Sequence, residues 1–131
     1  MATGRITAII LEVADLEAST RFYRDLIGLA LHTGADNDAA GDRWISGEHS
    51  ATSWSDGAFL HFALYQSKGE VTRGAQVGFG CDDLAATHAR LVAAGATVIH
   101  PPRPEPWGET ARYADPDGNI ISLTQSRRAQ S

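Results

Sequence analysis

The chain has only one cysteine, Cys81, in 131 residues. An internal disulfide is therefore excluded, and so is a thiolate metal cluster, which needs several cysteines at short spacing. A reduced, cytoplasmic setting is the default expectation. Long hydrophobic runs are also missing. The apolar stretch from Ile6 to Leu11 is far too short to span a bilayer, and no charged segment leads into an apolar one, so neither a membrane anchor nor a secretory signal is expected. Basic residues are few: 11 against 16 acidic ones, for a net charge of −5. They are scattered, so the clustered basic face that nucleic-acid binding needs is absent. There is no phosphate-binding glycine loop, no dinucleotide fingerprint and no G-x-S-x-G nucleophile turn.

What is present is an ordered series of short elements. RITAIILEV, residues 5–13, reads as a strand rich in Ile and Val. Asp15 stands where a helix N-cap would, opening DLEASTRFYRDLIG, in which Leu16, Tyr23 and Ile27, with Phe22 and Leu26 beside them, form an apolar stripe ended by Gly28. Strands are expected over 29–33, 43–48 and 58–66, separated by the polar loop GADNDAAGD and a Ser-Asp-Gly turn at 55–57. The order then restarts. AQVGFGC (75–81) reads as a strand, DDLAATHARLVAAG (82–95) as a capped helix closed by glycine, and ATVIH as a strand. PPRPEPWG reads as a stiff connector, and ARYADPDGNIISLTQ (111–125) as a hairpin around Pro-Asp-Gly.

Shifting the chain by 68 residues lays Asp15-Leu16 on Asp83-Leu84 and Ala18 on Ala86. The organisation is that of two βαβββ units, about 5–66 and 75–125, within a single domain over 1–131. Half a chain, roughly 65 residues, buries little surface alone. The expected architecture is therefore α+β: a curved mixed sheet around a cleft, with the helices outside and alternate strand residues lining the cleft.

With VADLEASTRFYRDLIGL in the first half, CDDLAATHARLVAAGATV in the second and EPWGETARYADPDGNIISL at the end, the chain resembles the vicinal oxygen chelate superfamily. That group includes glyoxalase I, extradiol dioxygenases, fosfomycin-modifying enzymes and bleomycin-binding resistance proteins. The resemblance covers residues 5 to 125. Its metal-dependent members carry ligands on the first, fourth, fifth and last strands. Those positions fall here on Ala8, His61, Gln76 and Ser122: a methyl group, an imidazole, an amide and a hydroxyl. A catalytic divalent ion needs about three good protein donors. The resemblance therefore implies a chain with no metal and no other cofactor.

Members that use glutathione place an arginine where Glu12 falls, so the charge at that position is reversed and a glutathione adduct is disfavoured. Period-two alternation sets Glu12 on the face of Ala8 and Ile10, and it sets Phe59, His61 and Tyr65 on one face of the fourth strand. Gly78 and Gly80 follow Gln76 and leave space, while Ser122 shares its face with Ile120 and Thr124. Trp44, Trp54 and Trp107 are candidate stacking walls. His88 shares a helical face with Leu84, Leu91 and Val92 and reads as a packed histidine. The candidate ligand-binding set is Glu12, Trp44, Trp54, Phe59, His61, Tyr65, Gln76, Trp107 and Ser122. It suits a small, flat aromatic ligand, as in the bleomycin-binding relatives. A homodimer is expected, because an open curved sheet exposes edges and apolar surface. The alternative is a glyoxalase- or dioxygenase-like enzyme, either metal-free with His61 as general base or with a degenerate metal site.

Overall fold

The computed structural model of the chain describes residues 8–33, 43–48 and 61–126, with His32, Thr33, Glu48 and His61 described by their backbone only. The chain divides into two compact units, one of residues 1–24 and 29–71, the other of 25–28 and 72–131. Each carries a four-stranded mixed sheet.

In the first unit, β1 (Ala8–Val13) is followed by α1 (Leu16–Thr20), which continues as a π-helical segment over Arg21–Ile27 whose last three residues are counted with the second unit. β2 (His32–Thr33), β3 (Trp44–Glu48) and β4 (His61–Gln66) follow, and the sheet order is β1-β4-β3-β2. β1 runs parallel to β4, and the remaining pairs are antiparallel. As the sequence implies, Asp15 caps the helix: its carboxylate accepts from the backbone N–H groups of Glu17 (3.1 Å) and Ala18 (3.2 Å), two donors that a helix start leaves unpaired. A residue that sequence reasoning passed over adds to this. Gln66, at the end of β4, accepts from Leu16 N at 2.9 Å and donates to the Ala14 carbonyl at 2.9 Å, tying the helix start to the last strand. Leu11, Val13, Ile45, Phe62 and Leu64 are buried on one face of the sheet, together with Leu16, Phe22 and Tyr23 of the helix. The Tyr23 ring packs on Phe22 edge-on at 5.1 Å and on Phe62 at 5.4 Å.

The second unit repeats this plan. β5 (Gln76–Gly80) leads to α2 (Leu84–Ala93), then β6 (Thr97–Glu105), β7 (Gly108–Ala114) and β8 (Ile120–Ser126), in the order β5-β8-β7-β6. Asp83 caps α2 through Ala86 N at 3.0 Å, and Gln125 accepts from Leu84 N at 2.8 Å, the counterpart of Gln66. Gly28 and Gly95 end the two helical stretches with φ of +98° and +78°, where a side chain would be strained. Val77, Leu84, Leu91, Ala111, Tyr113, Ile121 and Leu123 form the core. Among the described residues, no helix is long and apolar enough to cross a membrane.

The structure corrects one expectation. PPRPEPWG is not a connector: β6 runs through Pro101, Pro102 and Pro104 to Glu105, and the turn is at Pro106-Trp107. β6 tolerates these prolines because it is an edge strand and because its register slips twice, between Val98 and His100 and between His100 and Arg103. A proline lacks the N–H that a central strand must donate, but an edge or a bulge does not require it. The loop 34–42, the turn at 55–57, and Trp54 and Phe59 lie outside the described residues.

Candidate functional site

The two faces of each sheet differ in kind. In the first sheet the helix-side face is sealed, while Ala8, Ile10 and Glu12 are exposed on the other, with Trp44, Ser46 and Tyr65 half-buried. The register builds rows across this open face. Ala8 stands opposite His61 and His61 opposite Glu48, while Glu12 stands opposite Tyr65 and Tyr65 opposite Trp44. Residues paired in this way share a face, so Glu12, Tyr65 and Trp44 form one row. The Trp44 and Tyr65 rings stack, with centroids 6.0 Å apart and planes inclined by 17°. The indole Nε1 is shut off from solvent without a hydrogen-bond partner. An exposed carboxylate beside a stacked aromatic pair can accept from an amine or hydroxyl while the ring face carries a flat apolar body.

The open face of the second sheet is built from smaller groups. Gln76 stands opposite Ile120, Gly78 opposite Ser122 and Gly80 opposite Thr124. The rows continue onto β7, where Ser122 meets Arg112 and Thr124 meets Thr110, whose hydroxyl lies 3.4 Å from that of Thr124. Gly78 and Gly80 are exposed, and Ser122 and Thr124 are half-buried. Of the sequence-derived candidates, Gln76 and Ser122 thus lie on one face of neighbouring strands, two residues out of register. Trp107 lies in the β6–β7 turn at the end of these rows, 58% exposed, with its Nε1 donating to Thr110 Oγ1 at 3.3 Å. Arg112 and His100, which face each other across β6 and β7, were missed by sequence reasoning. The signal was available for Arg112: the Asp-Pro-Asp-Gly-Asn turn fixes the hairpin register, and counting outward from it sets 112 opposite 122.

The turn itself is scaffold. Asp115 accepts from Asp117 N (2.9 Å), Asn119 N (2.8 Å) and Asn119 Nδ2 (3.0 Å), and Asn119 also donates to the Thr72 carbonyl and accepts from Ala75 N, each at 3.0 Å. All three side chains are buried. His88 is also structural, as expected, with Nδ1 2.8 Å from the Tyr113 hydroxyl. Burial, with the nearby Cys81 thiol a smaller cause, pushes Tyr113 up to about 12.

The donor chemistry at Ala8, His61, Gln76 and Ser122 does not suit a divalent ion, since a methyl group donates nothing and an amide and a hydroxyl are weak, neutral ligands. Among the described residues no three His, Cys, Asp or Glu side chains come together as a candidate set.

The sequence matches the profile of the Glyoxalase/Bleomycin resistance protein/Dioxygenase superfamily over residues 5–123. The chain belongs to that superfamily. Within it, the chain is 31% identical to a probable lactoylglutathione lyase of Vibrio parahaemolyticus, an alignment covering 100% of this chain and 97% of the relative. It is also similar to the crystal structure of TnmS3, an antibiotic binding protein from Streptomyces sp. CB03234, with 29% identity and a TM-score of 0.67, covering 96% of this chain and 98% of that one. A superfamily member from Sphaerobacter thermophilus shares the fold at 22% identity, with a TM-score of 0.65 over 95% of this chain and 98% of its own. The two βαβββ units are modules of the glyoxalase type, as the sequence led us to expect.

Proposed function

We propose that this superfamily member is a metal-independent binding protein that sequesters a small aromatic natural product or antibiotic, giving self-resistance in the cytoplasm as a homodimer. The observation that carries the reading is the Glu12–Tyr65–Trp44 row, an acidic group beside a stacked aromatic pair on an open sheet face. The poor donor set at Ala8, His61, Gln76 and Ser122 supports metal independence. The likeness to an antibiotic binding protein supports the ligand class. Exposed Ile10 and Trp107 supply apolar surface for a second copy. Trp54, Phe59 and His61 are further proposed contacts on the first unit, and Gln76, Trp107 and Ser122 are proposed contacts on the second.

The test is a tryptophan-fluorescence titration of the purified protein against a panel of flat polycyclic antibiotics, with each compound recovered afterwards and weighed by mass spectrometry. Saturable quenching at micromolar concentration with the compound returned unchanged is the expected result. No quenching by any member of the panel would remove the sequestration reading.

A second reading is favoured by one finding, the 31% identity to a probable lactoylglutathione lyase. On that reading the chain is a lyase- or dioxygenase-like enzyme, with His61 as general base or with a degenerate metal site. Glu12 opposes it for glutathione adducts, because an anionic side chain repels their carboxylates. A chemically changed product in the same incubation, with or without added zinc, nickel, manganese or iron, would establish it.

A further inference from the structure

The open face of the second sheet carries a cation whose surroundings do not account for it. Arg112 sits in the middle of a row of neutral groups, with Ser122 and then Gly78 on one side and His100 on the other. Its Nε is shut off from solvent and has no hydrogen-bond partner, although the residue as a whole is half-buried rather than sealed. Across the strand, His100 Nδ1 is 2.9 Å from the Pro101 carbonyl, so in the neutral ring Nδ1 carries the proton and Nε2, likewise buried and unpartnered, is the acceptor. The two register slips on either side of His100 bring this residue opposite Arg112; a bulge re-aims a side chain in this way. Among the described residues of this face the one carboxylate is Glu105, which stands against Gly108 and is bound by Arg103 at 3.1 Å.

A guanidinium whose buried Nε lacks an acceptor can receive a planar anion, which it can grip through two parallel N–H donors. An unmet buried donor costs free energy that a ligand oxygen would offset. The geometry points to Arg112 as an anion-recognising residue that selects ligands bearing a carboxylate, with the His100 Nε2 lone pair accepting from an adjacent hydroxyl. The ligand class is therefore a hydroxy-aromatic carboxylate. The inference rests on the small-molecule-binding reading above and adds a charge requirement to it.

The probes are 1-hydroxy-2-naphthoate and its methyl ester, which differ only in the charge presented to Arg112. Calorimetric titration of the wild-type protein is expected to favour the acid over the ester by roughly tenfold or more, the worth of a hydrogen bond to a charged group. In Arg112→Gln the acid-to-ester ratio falls to about one, whereas Arg103→Gln, an arginine already bound to Glu105, leaves the ratio as in wild type. Thermal melts of each variant establish that it is folded. Independently, the Arg112 Nε–H resonance of the labelled protein is expected to shift with the acid and not with the ester. An equal affinity for acid and ester, a preference that survives Arg112→Gln, or an Arg112 resonance unmoved by millimolar acid would each overturn the assignment. Failure of the sequestration reading looks different: no antibiotic quenches the tryptophans, yet the Arg112 resonance still responds to the acid.

Discussion

The Trp44 indole lies almost parallel to the Tyr65 ring, its centroid 6.0 Å away, on neighbouring antiparallel strands whose register places the two residues directly opposite. If this pair is the stacking surface, truncating it must weaken ligand binding without unfolding the sheet. Trp44→Ala is expected to reduce affinity for a quenching polycycle by roughly three- to tenfold, the worth of one aromatic contact, with Trp44→Phe falling between. Isothermal titration checks this. Unchanged affinity in Trp44→Ala would move the ligand elsewhere.

Glu12 stands opposite Tyr65 and should set a charge preference at that end. Glu12→Gln is expected to lower the advantage of an amine-bearing polycycle over the same ring system without the amine, by up to about fivefold, as for an exposed ion pair. Competition binding at two salt concentrations provides the readout, and the effect should shrink at the higher one.

Treatment with a chelator, followed by dialysis, is expected to leave both ligand affinity and melting temperature unchanged. A resident ion that bound only the folded state would instead raise the melting temperature when added back. A clear rise on adding zinc or nickel in stoichiometric amount would contradict the reading of Ala8, Gln76 and Ser122 as non-ligands.

Asn119 binds Asp115, Thr72 and Ala75 while fully buried. Asn119→Ala leaves two backbone groups and part of a carboxylate without partners, and is expected to cost about 2–4 kcal/mol of stability. Denaturant unfolding measures it. A loss below about 1 kcal/mol would mean that water replaces the amide.

Tyr113 provides a pH test. Its folded-state value of about 12 lies above the ordinary 10.0, so folding favours the protonated phenol. That contribution is complete below pH 10 and is lost as pH rises through about 12. Ultraviolet titration should show one tyrosine ionising after the others, and Tyr113→Phe should lessen the alkaline loss of stability.

Local signals were legible in the sequence, and distant ones were not. Asp15 and Asp83 announce helix starts because an Asx cap acts on residues two or three positions away. Gln66 and Gln125 perform an equal task on Leu16 and Leu84, but their partners lie 50 and 41 residues off, beyond any pattern in the chain. The prolines of β6 were read as breakers because nothing local says whether a strand lies at an edge. His100 was obscured too: its position opposite Arg112 depends on two register slips, one of which runs into the misassigned stretch. The first-sheet row of Glu12, Tyr65 and Trp44 needed alternation together with two registers, β1 on β4 and β3 on β4.

Asp115 and Asn119 spend their polar atoms on backbone amides and on each other. The Asp-Pro-Asp-Gly-Asn turn is thus a joint of the chassis, its polar atoms already taken up by the chain itself. Lesions there should show up as scarce or short-lived protein, whereas a changed appetite for cargo should trace to the outward rows of the two sheets.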